Sequence, residues 1–418
     1  MKDLRTIILA AGKGTRMKSR LPKVLHCVCG KTIISLVVDL ARAVGSLKTC
    51  VVLGHQSDKI KDHLSGNIHV VIQEKLLGTA DAVLSASNSL KGFHGDVLIL
   101  SGDAPLFRKE TIKALLRKHK KAQAACTFLT AVVRDSYGYG RVIRGSSGEA
   151  IAIREEKDAT DYEKNIVEIN AGVYCFNCRI LLDVIKQIKL NKRKKEYYLT
   201  DIIEILSEKG YKVEVVEADD ASESLGINTK EDLAQAEAVM RGRILRDFML
   251  SGITIIDPQT TFIGMNVRIG RDTLINPFTV IEDNVCIGSN CTIGPFARLR
   301  TGTKLKDNVT IGNFTEVSRT EIGEHSIMKH FGFLGDAKVG KSVNVGAGVV
   351  TANYDGKNKN KTHILDKAFI GSDSILVAPV KIGRKALTGA GCVVTKGTNV
   401  GDNAVVVGVP GRIKNNKK

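Results

Sequence analysis

From residue 263 the chain repeats itself every six positions, and few folds can satisfy that. Ile263, Ile269, Ile275, Ile281, Ile287, Ile293, Leu299, Leu305, Ile311 and Val317 are ten successive aliphatic side chains at this spacing. With aliphatics at about one position in five, chance gives such a run less than about once in a million. A second column, at the fifth place of each hexad, is small or apolar: Val267, Thr273, Thr279, Val285, Cys291, Ala297, Thr303, Val309 and Thr315. The period fits neither an α-helix nor an ordinary strand. It is the repeat of a parallel β-helix, in which each hexad supplies one short flat strand and three hexads close a coil. After a one-residue slip the pattern resumes at Ile322, Met328 and Leu334, again at Val339 and Val345, and finally at Ile370, Leu376 and Ile382. The interval Ala352 to Phe369 breaks it with Asn353-Tyr-Asp-Gly-Lys-Asn-Lys-Asn-Lys361 and is expected to leave the coil as a loop. A solenoid needs no such excursion for stability, so the loop is expected to serve function.

The first 227 residues follow a different rule. Short apolar runs at 5–10, 49–54, 69–73, 96–101 and 124–133 read as strands, with helices over Thr32 to Gly45, Thr79 to Leu90 and Lys109 to Lys120. That alternation predicts an α/β domain with a mostly parallel sheet, whose ligands bind beyond the carboxyl ends of the strands. Two motifs fall there. The strand Thr6-Ile-Ile-Leu-Ala10 empties into a loop with Gly12 and Gly14, where backbone N–H groups can approach a polyphosphate and Lys13, Arg16 and Lys23 can follow its charge. The loop lacks the Gly-Lys-Ser/Thr ending of a P-loop and the Gly-x-Gly-x-x-Gly of a dinucleotide fold. The strand Asp96-Val-Leu-Ile-Leu-Ser-Gly-Asp103 delivers a carboxylate to the same rim, where a polyphosphate site needs a hard oxygen for Mg²⁺. Residues 228–250 change character: Thr229 and Asp232 suit a helix start, and Leu233, Ala236, Met240, Ile244 and Phe248 recur at helical spacing, predicting a linker helix. The β-helix then occupies 251–418, with a basic tail.

With 418 residues, 43% of them hydrophobic, the chain can build two or three cores. No run of 18 apolar residues and no charged-then-apolar leader is present, so the expectation is a cytoplasmic protein without a membrane partner. Nine cysteines, among them Cys50, Cys126 and Cys392 in apolar segments, read as reduced core thiols. Cys175 and Cys178 form the one Cys-x-x-Cys, which lacks the second pair that a tetrahedral zinc site needs. The net charge of +18 invites a nucleic-acid reading, but the clusters Lys189 to Lys195, Lys357 to Lys361 and Lys414 to Lys418 carry no interleaved aromatics, and no nucleic-acid partner is expected.

Leu9-Ala-Ala-Gly-Lys-Gly-Thr-Arg-Met17, followed by Leu21-Pro-Lys-Val-Leu-His26, resembles the signature of a known family, the bifunctional N-acetylglucosamine-1-phosphate uridylyltransferases and glucosamine-1-phosphate N-acetyltransferases. The likeness runs from about residue 4 to about residue 410. It implies a Rossmann-like α/β nucleotidyltransferase, a linker helix and a β-helix of left hand, assembled as a homotrimer. Leu9, Ala10, Ala11, Gly12 and Gly14 would then hold UTP, Arg16 and Lys23 would be catalytic, and Gln73, Gly78 and Thr79 would read the uracil. Asp103 and Asn228 would bind Mg²⁺. Gly140 in Tyr-Gly-Tyr-Gly-Arg, Glu155 and Asn170 match the positions that hold the acetylated sugar, and Glu196-Tyr-Tyr-Leu-Thr-Asp201 matches a further motif. In the β-helix, His330 matches the general base, Arg300, Asn344 and Lys359 the glucosamine-1-phosphate site, and Asn353, Tyr354, Ser372 and Ala390 the acetyl-CoA site. The chain departs from the family at Ser318, where a lysine is usual, at Phe333, where a tyrosine is usual, and at Val407-Gly408, where an arginine is expected. The coil before Gly294 is also a couple of turns shorter.

The implied chemistry is attack of a sugar-1-phosphate oxygen on the α-phosphorus of UTP, and attack of an amine on the acetyl-CoA thioester. Two other readings fit parts of the chain. A single-activity sugar nucleotidyltransferase would use the β-helix only for assembly, which His330 and the Asn353-Tyr354 loop argue against. A non-enzymatic regulatory subunit would not need Arg16, Lys23, Asp103 and Asn228 all in place.

Overall fold

The five apolar runs predicted as strands all form them: β1 (Leu4–Ala10), β2 (Lys48–Leu53), β3 (Ile68–Ile72), β4 (Asp96–Ser101) and β5 (Cys126–Val132). They belong to a computed structural model that describes residues 3–54, 56–193 and 195–414; Lys194 and the tail beyond Lys414 in the basic clusters lie outside it. Four further strands complete the sheet: β6 (Arg141–Arg144), β7 (Ala150–Arg154), β8 (Glu168–Asn177) and β9 (Val213–Glu217). The order is β9-β5-β8-β4-β1-β2-β3, with β6 and β7 as a hairpin off β8. All pairs along that path are parallel except those of β8, which runs antiparallel between β4 and β5.

Because both faces of β1 and β4 are covered, each strand has a continuous apolar run, Ile7–Ala10 and Val97–Leu100, rather than an alternating pattern. One face packs Ile8, Leu98 and Leu100 against helices α1 (Ile33–Ala43) and α3 (Lys109–Ala122); the other packs Ile7, Val97 and Ile99 against α2 (Thr79–Ser85) and α4 (Asp201–Glu208). Thr32 caps α1 through Ser35 N–H. The predicted Thr79 to Leu90 helix is broken after Ser85 and finishes as a 3₁₀ turn, Ser87–Leu90.

The chain divides into two compact units, 1–239 and 240–418, and the split falls inside helix α5 (Lys230–Leu250). The start of α5 is a reciprocal cap: Asp232 N–H donates to Thr229 Oγ1 at 3.1 Å, and Thr229 N–H donates to Asp232 Oδ2 at 2.8 Å. No helix among the described residues is long and apolar enough to cross a membrane.

In the second unit, hexads stack into three parallel sheets. Ile275 pairs with Ile293 and Ile293 with Ile311, so each aliphatic sits on the one a coil earlier. Nine of the ten aliphatics are buried, Ile269 being half-buried, and the whole second column is buried too. Coil corners use left-handed backbone at Asp272, Asn284, Asn290 and Asn308, residues that tolerate it. Phe278, Phe296 and Phe314 also adopt it, at φ between 54 and 58°, and stack on one another with ring centroids 4.8 and 5.0 Å apart. The one-residue slip is absorbed at the Arg319 corner, so Leu305 still pairs with Ile322. The expected excursion over Ala352 to Phe369 is shorter than predicted. Strand Thr362–Ile364 is already back in the coil, because Thr362 and Ile364 are both fully buried and pair with Ala337 and Val339. The period also continues past Ile382 through Thr388, Val394, Val400 and Val406, all buried.

Candidate active site

β1 and β4 are parallel neighbours, so the loops that follow Ala10 and Ser101 emerge at one rim. Gly102 N–H donates to the Leu9 carbonyl at 2.9 Å and fastens the two loops together. Ile227 N–H donates to the Asp103 carbonyl at 2.9 Å, which brings the segment carrying Asn228 to the same place. There the Lys23 ammonium donates to Asp103 Oδ2 at 2.5 Å and to Asn228 Oδ1 at 3.0 Å, while Arg16 Nη2 donates to that same Asn228 oxygen at 3.0 Å. Arg16, Lys23, Asp103 and Asn228, distant in sequence, are thus one cluster. Its carboxylate and amide oxygens already converge on a cation, the donor chemistry that suits a divalent metal.

The two glycines of the loop do different jobs. Gly12 has open space where a Cβ would stand, so the main chain there is free to face a ligand. Gly14 has φ +61°, and a Cβ on it would lie 2.7 Å from Lys23 Cβ; glycine lets Lys23 pack against the loop. Ala10 and Ala11 are buried and Leu9 half-buried, so these three can offer little beyond backbone.

Gln73 is buried, and its Nε2 donates to the Gly78 carbonyl at 3.1 Å and to Asp81 Oδ2 at 2.7 Å. Gly78, at φ +108°, passes within 2.5 Å of where its Cβ would meet the Tyr197 carbonyl, and Thr79 Oγ1 accepts from Leu199 N–H at 2.9 Å. The three residues expected to read the base are therefore locked to one another and to the segment 196–201. That segment also reaches the positions expected to hold the sugar: Thr200 Oγ1 donates to Glu155 Oε1 at 2.9 Å. Asn170 N–H donates to the Gly140 carbonyl at 2.8 Å, and Asn170 Nδ2 to Tyr174 Oη at 2.7 Å. Burial raises the Glu155 carboxyl above its usual range against the opposing Thr200 bond. Burial, then Glu155 and Glu204, push Asp201 to about 6.

Sequence reasoning missed Tyr139 and Arg141. Arg141 is almost fully buried; its Nη2 lies 2.7 Å from Glu156 Oε2, and Nη1 donates to the Tyr139 carbonyl. Glu156 also accepts from Gly138 N–H at 3.0 Å, so the loop before Gly140 is held from both ends. Burial raises the Tyr139 hydroxyl above its ordinary value, against a smaller opposing effect of the Gly226 backbone, which places that loop beside the Asn228 segment. The Tyr-Gly-Tyr-Gly-Arg motif was the available signal.

On the β-helix, Asn353 is buried and its Nδ2 donates to Asp336 Oδ2 at 2.5 Å. Asp336 is gripped by Arg319 through Nε at 2.7 Å and Nη2 at 2.9 Å, and Lys359 adds to the field that lowers its carboxyl. Tyr354 is exposed and pairs with Lys359 across the loop. Gly335 has the Phe333 ring and Asn353 Nδ2 at 2.6 and 2.7 Å from where its Cβ would be, so these belong to the same group. Ser372 and Ala390 are exposed one coil apart, and Gly391 N–H donates to the Ser372 carbonyl at 2.8 Å. Arg300 Nη1 donates to Glu316 Oε1 at 3.0 Å. His330 is exposed on the turn after strand Ile327–Met328, and Asn344 is half-buried on the next coil. Among the described residues no side-chain hydrogen bond or ion pair joins His330 to the Asn353 group.

A glycine loop with a cation held between a carboxylate and an amide, followed by hexapeptide coils, defines a nucleotidyltransferase joined to a hexapeptide-repeat transferase. The nucleotidyl transferase family model matches residues 5–236, the bacterial transferase hexapeptide model 261–301, and the hexapeptide repeat of succinyl-transferase 364–396 and 379–408. Proteins named bifunctional protein GlmU are similar over nearly the whole chain. That of Geobacillus thermodenitrificans is 43% identical over 93% of this chain and 92% of its own. That of Pelotomaculum thermopropionicum is 45% identical over 91% and 90%, and that of Listeria monocytogenes 40% over 97% and 95%. The chain belongs to the bifunctional GlmU family.

Proposed function

We propose that this enzyme makes UDP-N-acetylglucosamine in two steps, acetylating glucosamine-1-phosphate with acetyl-CoA and then transferring the uridylyl group of UTP to N-acetylglucosamine-1-phosphate. We assign the second step to residues 1–227, the first to 251–418, and the linker to 228–250. The observation that carries the reading is the Lys23 ammonium held between Asp103 and Asn228 beside the Gly12 loop.

In uridylyl transfer the sugar phosphate is already ionised, so no general base is needed. Backbone of Leu9 to Gly14 holds the UTP phosphates, with Gln73, Gly78 and Thr79 at the base. Gly140, Glu155 and Asn170 orient the sugar so that its phosphate oxygen stands in line with the α-phosphorus. Arg16 and Lys23 neutralise the charge that passes to pyrophosphate. Asp103 and Asn228 would hold Mg²⁺, which would supply further positive charge against the charge that develops on the phosphates.

In acetyl transfer His330 accepts the proton of the attacking amine as the C–N bond forms and the C–S bond breaks, and the proton passes on to the departing thiolate. Arg300, Asn344 and Lys359 bind glucosamine-1-phosphate; Asn353, Tyr354, Ser372 and Ala390 bind the coenzyme. The assembly is a homotrimer. Flat coil faces close naturally under threefold symmetry, and the stacked Phe278, Phe296 and Phe314 are 44 to 62% exposed on the isolated chain. The enzyme works in the cytoplasm and supplies activated amino sugar for cell-wall polysaccharide.

The test incubates the protein with Mg²⁺, UTP and N-acetylglucosamine-1-phosphate, or with glucosamine-1-phosphate and acetyl-CoA, following pyrophosphate and free thiol separately. Both products are expected. Pyrophosphate without thiol reduces the protein to a single-activity nucleotidyltransferase, and neither product overturns the reading.

A further inference from the structure

The sequence pairs Cys175 with Cys178, but the fold sends them to opposite faces of the sheet: Cys175 packs with Leu98 and Leu129, Cys178 with Val97 and Phe128. Cys175 finds other company. Asp96 at the start of β4, His119 in the last turn of α3 and Cys175 on β8 bring one ligand atom each to within 4.8 Å of one another. His119 and Cys175 are 3% and 0% exposed, while the Asp96 side chain keeps 35% of its surface. The geometry points to a zinc site formed by Asp96, His119 and Cys175, with a water completing the tetrahedron on the open Asp96 side.

Three features carry this. The first is the ligand set: one thiol, one imidazole and one carboxylate, a combination that zinc accepts and that hard cations such as Mg²⁺ do not favour. The second is a distance. His119 Nε2 stands 3.4 Å from Asp96 Oδ1, long for a charge-assisted hydrogen bond. Two N/O ligands at about 2.05 Å from a tetrahedral zinc stand roughly 3.35 Å apart, and a sulfur and a nitrogen roughly 3.6 Å, so closing the set from 4.8 Å asks Cys175 to move by about 1.2 Å at most. The third is the far side of the imidazole. His119 Nδ1 lies 2.9 Å from Thr127 Oγ1, a buried hydroxyl on the residue that pairs with Cys175 across the β5–β8 ladder. Metal-binding histidines have their second nitrogen anchored in this way, which leaves Nε2 aimed at the metal.

The site lies at the opposite rim from the chemistry. Asp96 begins β4 and Asp103 follows its end, a separation on the order of 20 Å at about 3.3 Å per residue. A metal there would tie β4, β8 and α3 together without touching nucleotide. Burial first, and then Asp96, hold the Cys175 thiol protonated when no metal is bound, so each zinc releases one proton to solvent.

The experiment uses the full-length protein stripped with a chelator and kept in millimolar Mg²⁺, so that Asp103 and Asn228 are not left bare. Co²⁺ is added as a probe. One equivalent is expected to give a near-ultraviolet thiolate-to-cobalt band that one equivalent of Zn²⁺ erases, with an upward shift of the melting temperature. Cys175→Ser and His119→Gln should lose the band, and Cys27→Ser, at the exposed thiol, should keep it. Asp96→Asn, at the solvent side, should fold normally and weaken Zn²⁺ by roughly 10- to 100-fold in chelator competition. If the two core variants do not fold, Asp96→Asn and the zinc-dependent melting shift decide. No band with folded wild type, a band that survives Cys175→Ser, or unchanged affinity in Asp96→Asn overturns the site and leaves a hydrogen-bonded trio.

Discussion

Replacing Gly14 by alanine tests whether the phosphate loop acts through its fit to Lys23. The new methyl would stand 2.7 Å from Lys23 Cβ, where carbons rest at about 3.5 to 4.0 Å, so the two must part by about 1 Å. Lys23 cannot yield freely, because it opens the turn Lys23–Leu25 whose Val24 and Leu25 are buried. The displacement falls on the loop and on the ammonium that Asp103 and Asn228 hold. A misplacement of about 1 Å can cost on the order of 10²-fold in rate. The expected loss in kcat/KM for uridylyl transfer is therefore about 30- to 100-fold, or about 2 to 3 kcal/mol of transition-state stabilisation. A left-handed φ of +61° adds about 1 to 2 kcal/mol of backbone strain, enough to lower the melting temperature by several degrees. The assay is steady-state pyrophosphate release beside a thermal melt, with acetyl transfer as the untouched control. Gly12→Ala is the contrast: its methyl meets nothing in the protein, so any loss of activity there comes with an unchanged melt and reports contact with substrate. If Gly14→Ala keeps more than a third of the uridylyl activity and melts normally, the fit between loop and lysine does not govern catalysis.

Asp103→Asn should cut uridylyl transfer by at least about 10²-fold while thiol release from acetyl-CoA is unchanged; equal loss in both assays would point to misfolding instead. His330→Ala should lower acetyl transfer by roughly 10² to 10⁴ and leave pyrophosphate release alone, and normal thiol release at saturating substrate rules out its role as base. Asp201 is held at about 6 against an unfolded value near 3.9, so the folded form binds the extra proton: its stabilising effect is complete below pH 4 and is lost as pH rises through 6. Asp201→Asn should thus melt progressively higher than wild type between pH 4 and 7, and a pH-independent difference would refute the assignment. Ser318→Lys should raise neither affinity for glucosamine-1-phosphate nor kcat, as read from thiol release against substrate concentration; a tenfold fall in KM would show that a cation at 318 is tolerated where it is needed.

The hexad columns were legible because a coil repeats one environment, and each position states its burial again every eighteen residues. Ile364 and Thr388 kept that register but were hidden by neighbours: a polar insertion before one, a hydroxyl in place of an aliphatic at the other. The parallel strands β1, β2 and β4 were equally plain, being apolar on both faces. β8 was not, since Glu168, Asn170 and Gly172 interrupt its apolar run where it meets the Gly140 loop, with a register shift between Asn170 and Tyr174. The cluster of Arg16, Lys23, Asp103 and Asn228 could be named residue by residue from motifs, but not the bond that assembles it. Lys23 meets Asn228 only because Ile227 is tied to the Asp103 carbonyl, a contact with no local sequence signature. The Asp96, His119 and Cys175 trio was invisible for the same reason, and the nearer Cys178 was the wrong partner for Cys175.

Ser318 shows how a residue that reads as a missing charge becomes part of a different arrangement. Its side chain is fully buried, and its hydroxyl accepts from Arg319 Nη1 at 2.8 Å. Arg319 is the cation of this corner, yet its charge is spent on Asp336, whose carboxyl it holds below the usual range, and Asp336 in turn fixes the Asn353 amide. The Ser318 side chain is fully buried with the Arg319 guanidinium against its hydroxyl, so a lysine at 318 would have to displace Arg319. Moving Arg319 frees Asp336, and an unpaired carboxylate beside the proposed sugar-phosphate site would repel the ligand that the new ammonium would attract. Asn353 also loses the partner that orients it. The gain of one charge-assisted contact, about 1.5 to 3 kcal/mol, is set against the loss of a bidentate ion pair and of an oriented amide of similar worth. Serine at this position and the Arg319–Asp336–Asn353 chain are therefore one solution, and changing the serine alone undoes it.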